Sequence, residues 1–205
     1  MENRKNTLPN INSNIRILHA LPKYHNIDIY ANGLLIAKNI AFSKISKYFS
    51  LVPRKYEIQI YKSGFYDNPI YSQTVTLTSK QYYTICLTPL NEEIYFLILK
   101  DGSIIPKNSP SFLRFINLSP NSPLLSLSLP NNEILFDSVE YLETTDYYNL
   151  SSGIYNFQVA FFSDETFIKY IKNIMLDNGK FYTIYIIGLF KDKPKLGYLL
   201  VQDSK

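Results

Sequence analysis

A segment near the start of the chain returns in its second half. Ile15-Arg16-Ile17-Leu18-His19-Ala20-Leu21-Pro22 is matched 98 residues on by Leu113-Arg114-Phe115-Ile116-Asn117-Leu118-Ser119-Pro120. Ile27 and Ile29 fall on Leu125 and Leu127 at the same offset. After one inserted residue the offset becomes 99 and stays there. Phe42 meets Tyr141, Tyr48 meets Tyr147, Leu51 meets Leu150, Tyr56 meets Tyr155, Ile58 meets Phe157 and Ile60 meets Val159. Tyr71 then meets Tyr170, Val75 meets Ile174, Leu77 meets Leu176, and Tyr83-Thr84-Ile85 meets Tyr182-Thr183-Ile184. One register held for so long implies duplication of a whole domain. A chain of 205 residues has room for two domains of about 100 residues each.

Inside each copy the apolar period is two. Tyr56, Ile58 and Ile60 alternate with Lys55, Glu57 and Gln59, and Leu125, Leu127 and Leu129 with Ser126 and Ser128. Such alternation marks strands with one face on a core and one in water. Turn chemistry separates them: Asn32-Gly33, Asn131-Asn132 and Asp177-Asn178-Gly179, the first being a hairpin signal. Seven or eight short strands per copy, with no helical period between them, predict an all-β chain of two tandem immunoglobulin-like antiparallel β-sandwich domains. The expected division is a flexible N-terminal arm over 1–13, a first sandwich over 14–103, a linker over 104–111 and a second sandwich over 112–205. The prolines of the linker region, Pro106 and Pro110, favour an extended, fairly stiff connection.

Composition narrows the function classes. Hydrophobic residues make up 46%, enough for real cores. Residues 1–110 carry 13 basic and 7 acidic side chains, a net of +6, and residues 111–205 carry 8 and 10, a net of −2. The basic residues form no cluster, which argues against nucleic acid. The first residues are polar, with no apolar signal segment, and no apolar run is long enough for a membrane-spanning helix. The expectation is synthesis in the cytoplasm without a Sec signal. Cys86 is the only cysteine, so no internal disulfide forms. It stands on the polar side of its strand, with nothing nearby to activate it.

Candidate chemistry is sparse. His19, His25 and Asp28 are near in sequence, but the second copy has Asn117, Pro123 and Ser126 in their places. His19 and Asn117 are expected to hydrogen-bond the adjoining loop, a role either side chain fills, and Asp28 to pair with Arg16 across neighbouring strands. Glu92-Glu93 falls in a hairpin. No nucleophile elbow, phosphate loop, zincin motif or Cys-x-x-Cys occurs. The expectation is no catalytic residue, no metal, no cofactor and no enzyme. The chain has 18 Tyr and no Trp; Tyr24, Tyr30 and Tyr61 are the candidate interaction surface, since tyrosine gives large amphipathic contact at low entropy cost.

Arg16-x-x-His19-Ala20-x-Pro22, then Ile27-Asp28-Ile29-Tyr30-x-Asn32-Gly33, then Phe42, Tyr48, Leu51 and Tyr56 resemble the bacterial DUF4397 family in two tandem copies. The second copy departs from the pattern at Asn117 and Ser126. The turn glycine of the family is kept as Gly153 but replaced by Arg54 in the first copy. The resemblance implies no particular activity; it implies a bacterial protein, in a family with many exported or cell-surface members.

These features together predict a non-enzymatic structural or adhesive module of a bacterial surface assembly, such as a spore coat or spore appendage. It would partner itself or another surface-layer protein, head to tail, steered by its oppositely charged halves. The alternative is a soluble module binding glycan, peptide or nucleic acid.

Overall fold

A computed structural model describes residues 11–103, 108–161 and 164–204, the side chains of 164–167 aside. The first half forms eight strands: β1 (Ser13–His19), β2 (Ile27–Ala31), β3 (Leu34–Ile40), β4 (Phe49–Leu51), β5 (Lys55–Lys62), β6 (Tyr71–Thr76), β7 (Tyr82–Leu90) and β8 (Glu93–Lys100). The second half forms their counterparts: β9 (Ser111–Leu118), β10 (Leu125–Ser128), β11 (Ile134–Val139), β12 (Tyr148–Leu150), β13 (Gly153–Phe161), β14 (Asp164–Leu176), β15 (Phe181–Ile187) and β16 (Gly197–Asp203). Sheets β4-β1-β7-β8 and β3-β2-β5-β6 make the first sandwich. Sheets β12-β9-β15-β16 and β11-β10-β13-β14 make the second, in the same order. The chain is therefore all-β and built from two β-sandwich domains. Pairing is antiparallel except for one parallel pair per domain, β1 with β7 and β9 with β15.

The inward residues are those the alternation selects. Ile58, Ile60, Val75, Leu77 and Ile85 are buried in the first core, and Phe157, Val159, Ile174, Leu176 and Ile184 in the second. Asn32 and Gly33 both take positive φ, 47° and 77°, the two-residue turn whose twist suits a hairpin.

The repeat register slips once. Tyr155 opposes Ile174 and Phe157 opposes Ile171, so Lys172 and Asn173 together face Asn156. Asn173 has φ 59° and its N–H donates to the Asn156 side chain at 2.9 Å, a β-bulge. Before the bulge the offset drops by one. Tyr170, opposite Gln158, therefore corresponds to Ser72, opposite Gln59, and not to Tyr71 as the constant offset predicts.

Of the predicted arm, residues 1–10 lie outside the described residues. Ile11 and Ser13 are tied down: the Ile11 carbonyl accepts from Ser79 Oγ at 3.0 Å, and Ser13 opens β1. Of the predicted linker, 104–107 lie outside the described residues, and Ser111 already belongs to β9. The two sandwiches pack against each other through the β1–β7 and β9–β15 sheets. Leu18, Ala20, Cys86 and Leu99 from one and Ile116, Leu118, Tyr185 and Ile187 from the other form a third apolar cluster. The two repeats thus bury part of these faces against each other.

Candidate functional site

The seam between the repeats is built from the outward faces of β1 and β9. Ile15 and Ile17 point into the first core, so Arg16 and Leu18 point out of it. The parallel register sets Arg16 beside Thr84 and Arg114 beside Thr183. Arg16 Nε donates to Thr84 Oγ1 at 2.7 Å and Arg114 Nε to Thr183 Oγ1 at 3.0 Å. Each threonine donates onward to a carboxylate just past or at the end of the last strand, Thr84 to Asp101 at 2.6 Å and Thr183 to Asp203 at 2.5 Å.

The guanidiniums then cross the seam. Arg16 Nη2 pairs with Asp203, and Arg114 Nη2 with Asp101 at 3.0 Å. The remaining pairs, Arg16 with Asp101 and Arg114 with Asp203, both stand at 3.5 Å. Arg16 Nη1 donates to the Gln202 carbonyl and Arg114 Nη1 to the Lys100 carbonyl, each at 2.9 Å. Tyr48 donates to Asp101 at 2.6 Å and lies under Arg16, and Tyr147 donates to Asp203 at 2.8 Å and lies under Arg114. All four charged side chains are buried. Two positive and two negative groups balance, and nearly every lone pair and donor is used, the condition under which a buried ion network holds.

Burial works against the charges of Arg16 and Arg114, but neighbouring carboxylates and tyrosines outweigh it and hold both guanidiniums protonated. Burial and the adjacent Asp101 carboxylate raise the Asp203 carboxyl, against the pull of both arginines.

Several expectations are corrected here. Arg16 does not pair with Asp28, because β1 and β2 lie in different sheets. Asp28 is buried, accepting from Asn39 N–H at 2.6 Å, Ser63 Oγ at 3.0 Å and Tyr66 OH at 2.6 Å. Burial alone would raise its carboxyl; these bonds and Lys38 bring it below the usual range. Cys86 is not on a wet face, because the second repeat covers that face, and burial pushes its thiol up. Asp101, Asp203, Thr84, Thr183, Tyr48 and Tyr147 were not singled out as a group from the sequence. Their signal was there: an arginine between apolar neighbours, kept in both copies.

His19 and Asn117 behave alike. His19 Nε2 bonds the His25 carbonyl at 3.0 Å and its Nδ1 accepts from Leu21 N–H at 3.3 Å. Asn117 accepts from Ser119 N–H at 3.0 Å and donates to Ser122 Oγ at 3.0 Å. Each ties its strand end to the following loop. Burial lowers the His19 pKa. Among the described residues, no group of three or more His, Cys, Asp or Glu is placed to hold a metal ion.

Of the tyrosines predicted as a surface, Tyr30 and Tyr61 meet edge to face at 5.3 Å, with Tyr66 beside both. Tyr24 instead lines a cleft of about 560 Å³ at the seam, with Leu21, Pro89, Glu92, Glu93 and Pro120. A different surface stands out on the second repeat. Ile154 is 65% exposed, Met175 54%, Tyr170 51% and Ile168 45%. Ile154 faces Met175, Gln158 faces Tyr170 and Ala160 faces Ile168 across β13 and β14, so all four lie on one outer face. The first repeat has Lys55 opposite Thr76 and Gln59 opposite Ser72 there. β14 is also the edge of its sheet.

Compared with protein families, residues 13–128 match the domain of unknown function DUF4397. The match opens with β1 and closes with β10, covering the first repeat and the start of the second. No curated protein matches the chain.

Proposed function

The chain belongs to the DUF4397 family, and from that premise we propose that it is a non-enzymatic structural module that works by self-association in a bacterial surface assembly. The observation that carries this reading is the apolar outer face of β13 and β14. Within one molecule the same sandwich is built twice. The first copy shows that this position needs no apolar residue, since Lys55, Ser72 and Thr76 serve there. The second copy puts Ile154, Tyr170 and Met175 in water beside the edge strand β14. Exposed apolar residues grouped on a sheet at an unpaired edge are a template for pairing with another chain. A surface layer or spore coat, in which copies pack side by side, fits this reading.

The test writes the residues of the first repeat into the second: Ile154→Lys, Tyr170→Ser and Met175→Thr together. The fold already accepts these residues at these places, so the variant should keep its unfolding midpoint and lose self-association in light scattering. A variant that assembles as the parent does would refute this face as the contact. A second reading rests on the seam cleft around Tyr24: its size and its place between two domains suit a small ligand, and Glu92 and Glu93 against the one Lys23 at its wall leave a net negative charge that favours a cationic group. Retention of such a ligand by a monomeric protein would favour it.

A further inference from the structure

The ion network at the seam does not distinguish one repeat from the other. Arg16, Thr84, Asp101 and Tyr48 on one side do what Arg114, Thr183, Asp203 and Tyr147 do on the other. Such an arrangement is near two-fold, and by itself it would equally hold two first repeats or two second repeats. Two sets of residues in the seam break that equality.

Cys86 and Tyr185 are counterparts at the repeat offset, and both are fully buried in the seam cluster. A small side chain on one side leaves room for a large ring from the other. Two first repeats would bring two cysteines and leave a void; two second repeats would bring two tyrosines into room made for one. Voids and overpacking both weaken a packed interface.

The second set is polar. Thr88 and Ile187 are counterparts, as are Phe42 and Tyr141. The Thr88 hydroxyl bonds the Tyr141 hydroxyl across the seam at 2.7 Å, and Tyr141 donates to the Pro89 carbonyl. Burial raises Tyr141 to about 12, so it remains a donor. At the symmetry-related place, Ile187 belongs to the apolar cluster and Phe42 packs against it. Polar thus meets polar on one side and apolar meets apolar on the other. With two first repeats, buried Thr88 would face Phe42 and lose its partner. With two second repeats, Tyr141 would face Ile187 and lose the hydroxyl of Thr88. A buried hydroxyl without a partner is penalised in full.

We infer that this face is a recognition surface that accepts a first repeat only against a second. The charges supply adhesion that is blind to identity, and the Cys86–Tyr185 and Thr88–Tyr141 contacts supply identity by disfavouring the like pairs. Any contact that this face makes with another copy of the chain is therefore between unlike repeats, giving a directional order. This holds whether or not the outer face of β13 and β14 drives assembly.

The test uses the full chain. Cys86→Tyr alone and Tyr185→Cys alone should each lower the urea midpoint. The exchange of both, Cys86→Tyr with Tyr185→Cys, should recover at least half of the summed loss, because it rebuilds the pair with its sides reversed. Strictly additive losses would overturn the inference. A second measurement keeps the seam residues unchanged. A protease site placed at 104–107 lets the folded chain be cut, and native mass spectrometry then reports how the halves pair. Pairs of unlike halves alone, including pairs exchanged between copies, are expected. Dimers of like halves, or halves that separate as monomers, would overturn it.

Discussion

Asp203→Asn removes one charge from the seam and keeps the shape. In the parent, Asp203 binds Arg16 across the seam, accepts from Tyr147 at 2.8 Å and Thr183 at 2.5 Å, and stands 3.5 Å from Arg114. At 3.5 Å and an effective dielectric of about 20, one such attraction is about 5 kcal/mol before desolvation is subtracted. The asparagine leaves two buried guanidiniums with one carboxylate, and breaking a buried pair from one side costs about 3–5 kcal/mol. An exposed pair would cost about 0–1 kcal/mol. The expected loss is a large part of a total stability of about 5–15 kcal/mol. Because each sandwich keeps its own core, the loss should fall on the coupling between them. Urea unfolding followed by tyrosine fluorescence and by circular dichroism should change from one shared transition to two. A loss under about 1 kcal/mol with coincident transitions would refute the reasoning that the network is buried and holds the halves together.

Ile60→Ala should cost about 2–5 kcal/mol, since Ile60 is fully buried in the first core; a urea midpoint near that of the parent would mean the inward face is misassigned. The first sandwich should soften in acid while the second does not. His19 is held below its ordinary pKa of about 6.5 by burial, so the stability it contributes is complete above that pH and is lost as pH falls below it. Asp28, also depressed, adds a loss as pH falls below about 3.9. The second sandwich has Asn117 and Ser126 in these places and lacks both effects. Amide hydrogen exchange at pH 7 and pH 5 should show the difference, and His19→Asn should remove it; an unchanged profile in that variant would count against the assignment.

What could be read from the sequence, and what could not, follows from how many faces of each strand are buried. β5 has one buried face, so Tyr56, Ile58 and Ile60 announced it by alternation. β1 and β9 have two. The sequence alone therefore sets Arg16 against Asp28, and Cys86 of the neighbouring β7 on a polar face, when a second domain covers both. A strand pattern reports that a side chain lies outside its own core, and nothing in it reports what else packs there. Asp101 closes β8 at the head of a Gly-, Asn- and Pro-containing stretch, where a carboxylate looks solvated; its partner Arg114 lies in the other domain. Asp203 was hidden from Asp101 by the longer connection between β15 and β16, which carries the offset from 99 to 102. The bulge at Asn173 hid the match of Tyr170 to Ser72 in the same way. The apolar face of β13 and β14 was legible residue by residue, but only the strand pairing puts Ile154 beside Met175.

Self-association is the claim on which the functional account stands. Sedimentation velocity of the untagged protein over a wide range of concentrations measures it directly. The account predicts species larger than the monomer that grow with concentration and persist at high salt, since the contact face is apolar. A single monomeric species at every concentration, in low and high salt alike, would contradict it.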